Sequence, residues 1–582
     1  MDSFRFGTVD YTVFLGMTII SIAIGLYFGF IKKTKTESQP TEPNRSHQIF
    51  GSEKMNEYLM GSRNLKVFPV GMSLIASSIS AVAIIGTPSE IYYYGSQYCL
   101  TVVAIILQGL IVSYIYLPVF SALQVSSSYE YLGMRFHSVI RSIVSFIFLL
   151  DVILYLPLLA YLPALALNQV SGLNIHLIAA FTIVVCVIYT LLGGFKAVVH
   201  TDIWQVVIMF VSVLVVTILA TCYIDDQDDF FEGLKQGGRL IFLNIDPSPY
   251  ARQTVWSVII GGTFYITSIS AVNQTVVHRY MSLPSLKMAR ASIAFMVIGG
   301  AFFTSVVCFL GLLIFDAYKD CDPLRAGLIM NDDQLVPFFV VNSLGHIYGM
   351  PGLFIAGVFG ASLSSLSVYL NSTSLVILHD IIRGCFKMQP GERASNIVVK
   401  SSIVLLGIIA FAMVFLLEKA SGILSISVSL AAIAASSTFG IFTLGMLVPW
   451  ANTMGTAVGG ITCVLLTGWI SLGSQFAAAS GLLNSQKLPV SVEGCVGNLT
   501  SSENVWSDEE EVFPLYRLSF HWISPIGVLA VVVVGSLVSL VTKPTDIKTL
   551  DSKLLSPVIH RFLPKECFKL REKPDKDISS IS

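Results

Sequence analysis

Thirteen apolar stretches long enough to cross a bilayer run along this chain, and no other feature limits its fold so severely. A helix rises 1.5 Å per residue, so about 20 apolar residues bridge the hydrocarbon layer. The stretches lie near 9–30, 66–88, 97–120, 138–166, 173–193, 200–223, 253–275, 290–318, 352–382, 396–417, 423–448, 455–475 and 521–541. Backbone in lipid must satisfy its own polar groups, so the expected class is an all-α polytopic membrane protein with 13 transmembrane helices. Composition agrees: 54% of residues are hydrophobic and only 12% charged, about half the charge usual in water-soluble chains. An ordinary cytosolic enzyme is therefore excluded, and a net charge of −1 removes the basic field of a nucleic-acid binder. Nine cysteines contain no CxxC pair, which argues against zinc or dithiol redox chemistry.

Charge sets the expected orientation. Only Arg5 precedes the first stretch while Lys32, Lys33 and Lys35 follow it, the reverse of a cleaved signal, so the amino terminus is expected outside. Alternation then gathers Arg135, His137, Arg141, Lys196, Arg279, Lys287, Arg290, Arg383, Lys387 and Arg393 on one side, which the positive-inside rule makes cytoplasmic. The opposite loops carry Asp225, Asp226, Asp228, Asp229, Glu232 and the acids at 508–511. An odd number of crossings leaves Lys543, Lys553, Lys565 and Lys569 of the carboxyl-terminal tail inside. The sequon at Asn498 falls outside and is expected to be glycosylated, whereas that at Asn44 falls inside. Cys321 and Cys495 share the outer side, which leaves a disulfide between them open.

Two stretches are interrupted. The second carries Ser77, Ser78, Ser80, Gly86 and Pro88; the ninth carries Ser362, Ser364, Ser365, Ser367 and Asn371. Helical residues three and four apart share a face, so Ala361, Ser364 and Ser365 can aim one carbonyl and two hydroxyls at one point. An unwound second stretch would add carbonyls, giving about five neutral oxygens without a carboxylate. Such a shell suits a singly charged hard cation that must be released, whereas a divalent ion calls for denser charge. The competing reading is that small residues let helices pack closely. Stretches two to six and seven to eleven also form two sets of five; five is odd, so the second set runs in the inverted sense, a secondary-transporter arrangement.

The segments at 69–92 (PVGMSLIASSISAVAIIGTPSEIY), 163–173 (PALALNQVSGL), 189–205 (YTLLGGFKAVVHTDIWQ), 271–284 (AVNQTVVHRYMSLP) and 351–372 (PGLFIAGVFGASLSSLSVYLNS) resemble the sodium/solute symporter family in order along nearly the whole chain. SAVAIIGTPSEIY is more similar to the branch that moves monocarboxylates, multivitamins and iodide than to the sugar branch. The resemblance implies a leucine-transporter-like core of five plus five inverted helices, with one helix before it and two after. It divides the chain into a first helix with a cytoplasmic linker (1–65), a first repeat (66–223), an extracellular loop (224–252), a second repeat (253–448), two further helices with an extracellular loop (449–541) and a cytoplasmic tail (542–582). It further implies a sodium site made by carbonyls of Ala76, Ile79 and Ala361 and hydroxyls of Ser364 and Ser365, with Asp202 near the cytoplasmic sodium exit.

Departures from that pattern bear on cargo. Ala83 stands where sugar carriers bear His, Ile266 where iodide and monocarboxylate carriers bear Trp, Tyr93 where vitamin and monocarboxylate carriers have Arg, and Ser270 replaces an aromatic. Asp151 lies 13 residues from one end of its stretch and 15 from the other, where relatives tend to carry Gln. A midplane carboxylate is functional by default: it can take a proton, hold a second sodium or pair a cationic substrate, or else hydrogen-bond within the bundle toward Tyr155. Ser80, Asp151, Tyr155, Ile266, Ser268 and Ser270 are the substrate and coupling candidates. His200, His278 and His379 read as span-end residues, and Tyr92, Tyr93 and Tyr94 fit an interfacial belt as well as an outer gate.

The chain has no HExxH and no Gly-Lys dipeptide, so neither zinc hydrolysis nor a nucleotide-cradling loop is legible. Energy then comes from a gradient. One sodium ion crossing about 60 mV gains roughly 1.4 kcal/mol, and a tenfold gradient adds about 1.4 more, enough for on the order of 100-fold accumulation. The expected protein is a non-enzymatic, multi-pass plasma-membrane symporter with Na+ as coupling ion and no other cofactor. Its partners are a small organic solute, a monocarboxylate or vitamin-type anion, and the lipid bilayer. Alternatives are iodide, choline-like or sugar cargo on the same fold, or a sodium-conducting or sensing protein without coupled uptake.

Overall fold

The computed structural model describes residues 6–27, 65–125, 127–224, 226–419, 423–480, 482–483, 487–495 and 512–563. Asn44, Asp225, Asn498, the acids at 508–511, and Lys32, Lys33, Lys35, Lys565 and Lys569 lie outside the described residues. All regular elements among the described residues are helical, as lipid demands of the backbone. Helix α1 is Thr8–Leu26; Val67–Ser78 (α2) and Ala81–Tyr94 (α3) form a pair bent by 53°. They are followed by α4 (Ser96–Leu123), a short α5 (Glu130–Arg135), α6 (Ser138–Ser171), α7 (Ile175–Phe195), α8 (Ala197–Cys222) and an amphipathic α9 (Gln227–Gln236). Then come α10 (Ser257–Ala271), α11 (Gln274–Met281), α12 (Leu286–Ala317), α13 (Leu335–Leu344), α14 (Met350–Cys385), α15 (Glu392–Lys419), α16 (Ile423–Leu447), α17 (Thr453–Ala479) and α18 (Phe520–Val541).

Among the described residues ten helices are long and apolar enough to cross a membrane, and α2–α3 qualifies as an eleventh, bent span. The expected seventh crossing contains only a shorter apolar helix, Ser257–Ala271, whereas the eleventh is the 25-residue α16. The seventh differs for a physical reason: the chain breaks at Val272 (φ −130°, ψ −15°) and Asn273 (φ −64°, ψ 133°), and the Asn273 side chain caps a new helix by accepting from the Thr275 N–H at 3.0 Å. Thus α10–α11 repeats, in the second set of five, the break between α2 and α3 in the first.

Burial singles out one helix. In α14, 89% of the most apolar window is buried, against 33–50% in the other long apolar helices, so α14 is the axis around which α1, α7, α8, α6 and α15 pack. The outer helices show exposed Leu, Ile, Val and Phe side chains, as lipid-facing surfaces do. Two glycines have conformational or steric roles. Gly194 (φ 60°, ψ −161°) makes the turn between α7 and α8, and a Cβ on Gly357 of α14 would collide with Ser212 of α8.

One end of the bundle is closed by loops. Cys321 and Cys495 are joined by a disulfide, with Cα atoms 5.0 Å apart. Close by, Lys487 pairs with Asp332 at 2.7 Å, and Asp333, through burial and the neighbouring Asp332 charge, has its carboxyl raised from 3.8 to about 6. A folded-state pKa raised above the unfolded value means the native state binds the extra proton. The position is then neutral to stability below about pH 4 and costs stability as pH rises through 6. Asp333→Asn should therefore stabilise the purified protein by about 1–2 kcal/mol at pH 7.5, allowing for partial solvent access. Thermal unfolding at pH 7.5 and pH 4 checks this; an equal stabilisation at both values would rule the mechanism out.

Candidate functional site

The oxygen cluster begins with the break between α2 and α3. Ile79 and Ser80 adopt extended backbone (φ −114° and −110°), so the last carbonyls of α2 lose their intrahelical donors. Against this break lies α14, and Ser364 Oγ donates to the Ala361 carbonyl at 2.9 Å while standing 3.2 Å from the Ala76 carbonyl. Ser364 thereby joins the broken helix to the serine-lined one. Ser365, its neighbour, is 2% exposed, and its hydroxyl is buried without a hydrogen-bond partner. A buried polar atom left unmatched costs stability unless something completes it, and a small cation would. The other hydroxyls are committed elsewhere: Ser362 donates to Leu159 O at 2.7 Å and Ser367 to Ser364 O at 2.9 Å. Ala76, Ala361, Ser364 and Ser365 thus share one buried neighbourhood, and Ile79 sits in the break itself. Close packing by small residues coexists with this arrangement at Gly357.

Asp202, on α8, has a partner that sequence reading missed. Its carboxylate accepts from Ser73 Oγ of α2 and from Arg279 Nη2 of α11 at 3.2 Å. Arg279 also donates from Nε to Ser73 Oγ at 2.7 Å and from Nη1 to the Thr275 carbonyl at 2.7 Å. Arg279 is 1% exposed, so the expectation that it is one loop charge among others needs correction: it is a buried tie between both broken helices. The available signal was that an acid within a span requires a counter-charge, and Arg279 is the only arginine between Arg252 and Arg290. Arg135 is likewise buried, donating to the carbonyls of Gly445, Val448, Pro449 and Ala451 where α16 ends, and Arg141 pairs with Asp380 at 2.6 Å. His278 is buried against Phe195, with ring centroids 4.2 Å apart, rather than lying at an exposed span end.

The substrate candidates divide into two groups. Asp151 and Ser268 line a small cavity with Tyr129, Phe148, Asn273, Ala434, Ala435 and Thr438, so α6, α10, the second helix break and α16 meet there. Tyr155 engages Ser80 at the first break and packs on Tyr369 with ring centroids 5.3 Å apart, so it does not hold Asp151. Ile266 is half-buried on α10 outside that cavity, and Ser270 serves the fold by accepting from Tyr280 at 3.2 Å through its carbonyl. Tyr92 and Tyr93 are not belt residues: both are at most 1% exposed. Lys487 Nζ lies 4.0 Å from the Tyr93 ring, the Leu488 N–H donates to Tyr93 O at 2.8 Å, and Arg239 reaches Tyr92 O at 3.0 Å. The loop stapled by the disulfide therefore covers the end of α3.

The family model for the sodium:solute symporter family matches residues 58–463. The chain is 34% identical over 551 residues to sodium-coupled monocarboxylate transporter 1 of Mus musculus, covering 92% of this chain and 87% of that protein. It is 32% identical over 561 residues to the mouse sodium-coupled monocarboxylate transporter 2, covering 96% and 88%. Among solved structures it is similar to the substrate-bound outward-open state of a Na+-coupled sialic acid symporter, with a TM-score of 0.73, 23% identity, and coverage of 93% of this chain and 99% of that one. That likeness shows the same fold. The chain belongs to the sodium:solute symporter family, and its activity is sodium-coupled symport.

Proposed function

We propose that the protein imports a small organic monocarboxylate together with Na+ by alternating access. The observation that carries the reading is the buried oxygen cluster at Ala76, Ala361, Ser364 and Ser365, where Ser364 links the break to α14 and Ser365 is unmatched. Sodium there, with the Ile79 carbonyl, would hold α2 and α14 together and fix the outward pocket. The ion then favours the substrate-competent state by its affinity difference between states, which is what coupling requires.

A carboxylate has a natural seat one residue away. Ser80 caps α3 without a side-chain bond, so the first N–H groups of a 14-residue helix face the break, and half-helix N-termini in this architecture receive anionic groups. Both mouse relatives are named for monocarboxylate transport, which supports the same cargo class. We assign Asp202, tied to Ser73 midway along α2 and to Arg279, the task of acting on sodium as it leaves toward the cytoplasm. We assign the amino terminus to the outside, the carboxyl terminus to the inside and the disulfide loop to the extracellular face of the plasma membrane, with the repeat boundaries at 66–223 and 253–448.

Purified protein in proteoliposomes should accumulate a radiolabelled short-chain monocarboxylate only under an inward sodium gradient, and preloaded unlabelled solute should accelerate entry by exchange. Sodium-evoked current without solute accumulation would instead identify a conducting or sensing protein.

A further inference from the structure

Asp151 is the one carboxylate lining the cavity between α6, α10 and α16, and the proposed sodium site leaves it unused. Among the described residues no hydrogen bond or ion pair engages it. The nearby basic side chains are committed elsewhere: Arg141, ten residues earlier on α6, is held by Asp380, and Arg279 by Asp202. What surrounds the carboxylate is aromatic and weakly polar. Tyr129, Phe148, Ser268, Asn273 and Thr438 line its cavity, and Tyr155, Tyr265 and Tyr369 stand near enough to sense its charge. An anionic group among aromatic faces recognises a positively charged nitrogen: the carboxylate supplies the counter-ion and the rings supply cation–π attraction.

The position of this cavity adds the second constraint. Tyr155 is one turn beyond Asp151 on α6 and contacts Ser80, the residue that opens α3. Tyr155 thus stands between a negative group and a half-helix N-terminus, which is positive. A simple carboxylate seated on α3 would bring its own charge close to an unpaired acid. A molecule with a carboxylate at one end and an ammonium at the other satisfies both.

We propose that Asp151 makes this symporter select a zwitterionic monocarboxylate, one whose far end carries a cationic nitrogen that enters the Asp151 cavity. The inference rests on the monocarboxylate reading above and narrows it. A tail of equal shape without the charge leaves Asp151 desolvated and unmatched, so discrimination comes from rejection of the neutral tail as much as from attraction of the charged one.

Isosteric pairs with a water-sized ammonium, which this one-water cavity can hold, test it: 4-aminobutyrate against pentanoate, and 5-aminopentanoate against hexanoate, each followed as sodium-dependent uptake into proteoliposomes. Wild-type protein should prefer the charged member of at least one pair by about tenfold or more. In Asp151→Asn that preference should collapse toward one; the ratio within a pair is independent of how much protein is inserted, and the wild-type ratio decides alone if the variant does not insert. Sodium-driven uptake of the neutral-tailed acids at equal or better rates, or an unchanged ratio in Asp151→Asn, overturns the zwitterion inference while leaving monocarboxylate symport standing. Absence of sodium-dependent uptake for every member of both pairs removes the monocarboxylate reading and this inference together.

Discussion

Asp202→Asn will remove most properly folded protein from the membrane, while Asp202→Asn combined with Arg279→Gln will restore much of it. The carboxylate and guanidinium are 0% and 1% exposed, and Ser73 completes the set. Deleting the acid leaves a buried cation uncompensated, at a cost of about 3–5 kcal/mol; deleting both charges removes the desolvation penalty along with the attraction. Surface abundance and thermal unfolding of the two single variants and the double variant form a cycle. Additive losses, with the double variant worse than either single one, would show that the two groups do not depend on each other. Because the tie joins α2, α8 and α11, its loss should also loosen the two broken helices where they meet α8, a fault the double variant corrects only in charge.

Ser365→Ala will lower apparent sodium affinity about tenfold, as expected when a five-oxygen shell is deprived of one charge-assisted oxygen ligand. The same change will not destabilise the sodium-free protein, because the hydroxyl it deletes is buried and unmatched there. Ser364→Ala should weaken sodium binding comparably but also lower sodium-free stability, since Ser364 contributes bonds to both Ala76 O and Ala361 O. Thermal unfolding with and without sodium separates these cases, because a ligand stabilises by an amount set by its concentration relative to its dissociation constant. If Ser365→Ala leaves the sodium-dependent shift and the sodium dependence of uptake intact, the serines of α14 serve helix packing rather than ion binding.

Sodium bound at the proposed site would be a conformational signal as much as a local interaction. The oxygens come from two elements, the end of α2 and the middle of α14, that belong to opposite halves of the core. An ion bridging them would favour the state in which they touch, and the proposed cargo seat at α3 adjoins the same break. One structural interruption would therefore couple the two ligands.

The amino-acid order by itself determined the class of fold and the face of α14 that carries Ser364 and Ser365. Serines three and four residues after Ala361, charge-poor stretches near 20 residues and an interrupted second stretch are local properties, and lipid leaves the backbone no other choice. Local order also identified Asp151 as an acid out of place, while the family resemblance pointed to Asp202. Tertiary structure decided their partners, because pairing depends on which helices lie side by side: Asp202 meets Arg279 from 77 residues away, and Asp151 meets a cavity lined by α10 and α16 rather than Tyr155 on its own helix. The second break, at Val272–Asn273, escaped sequence reading since its residues are ordinary, and only the cap formed by Asn273 and the buried anchoring of α11 stabilise it there.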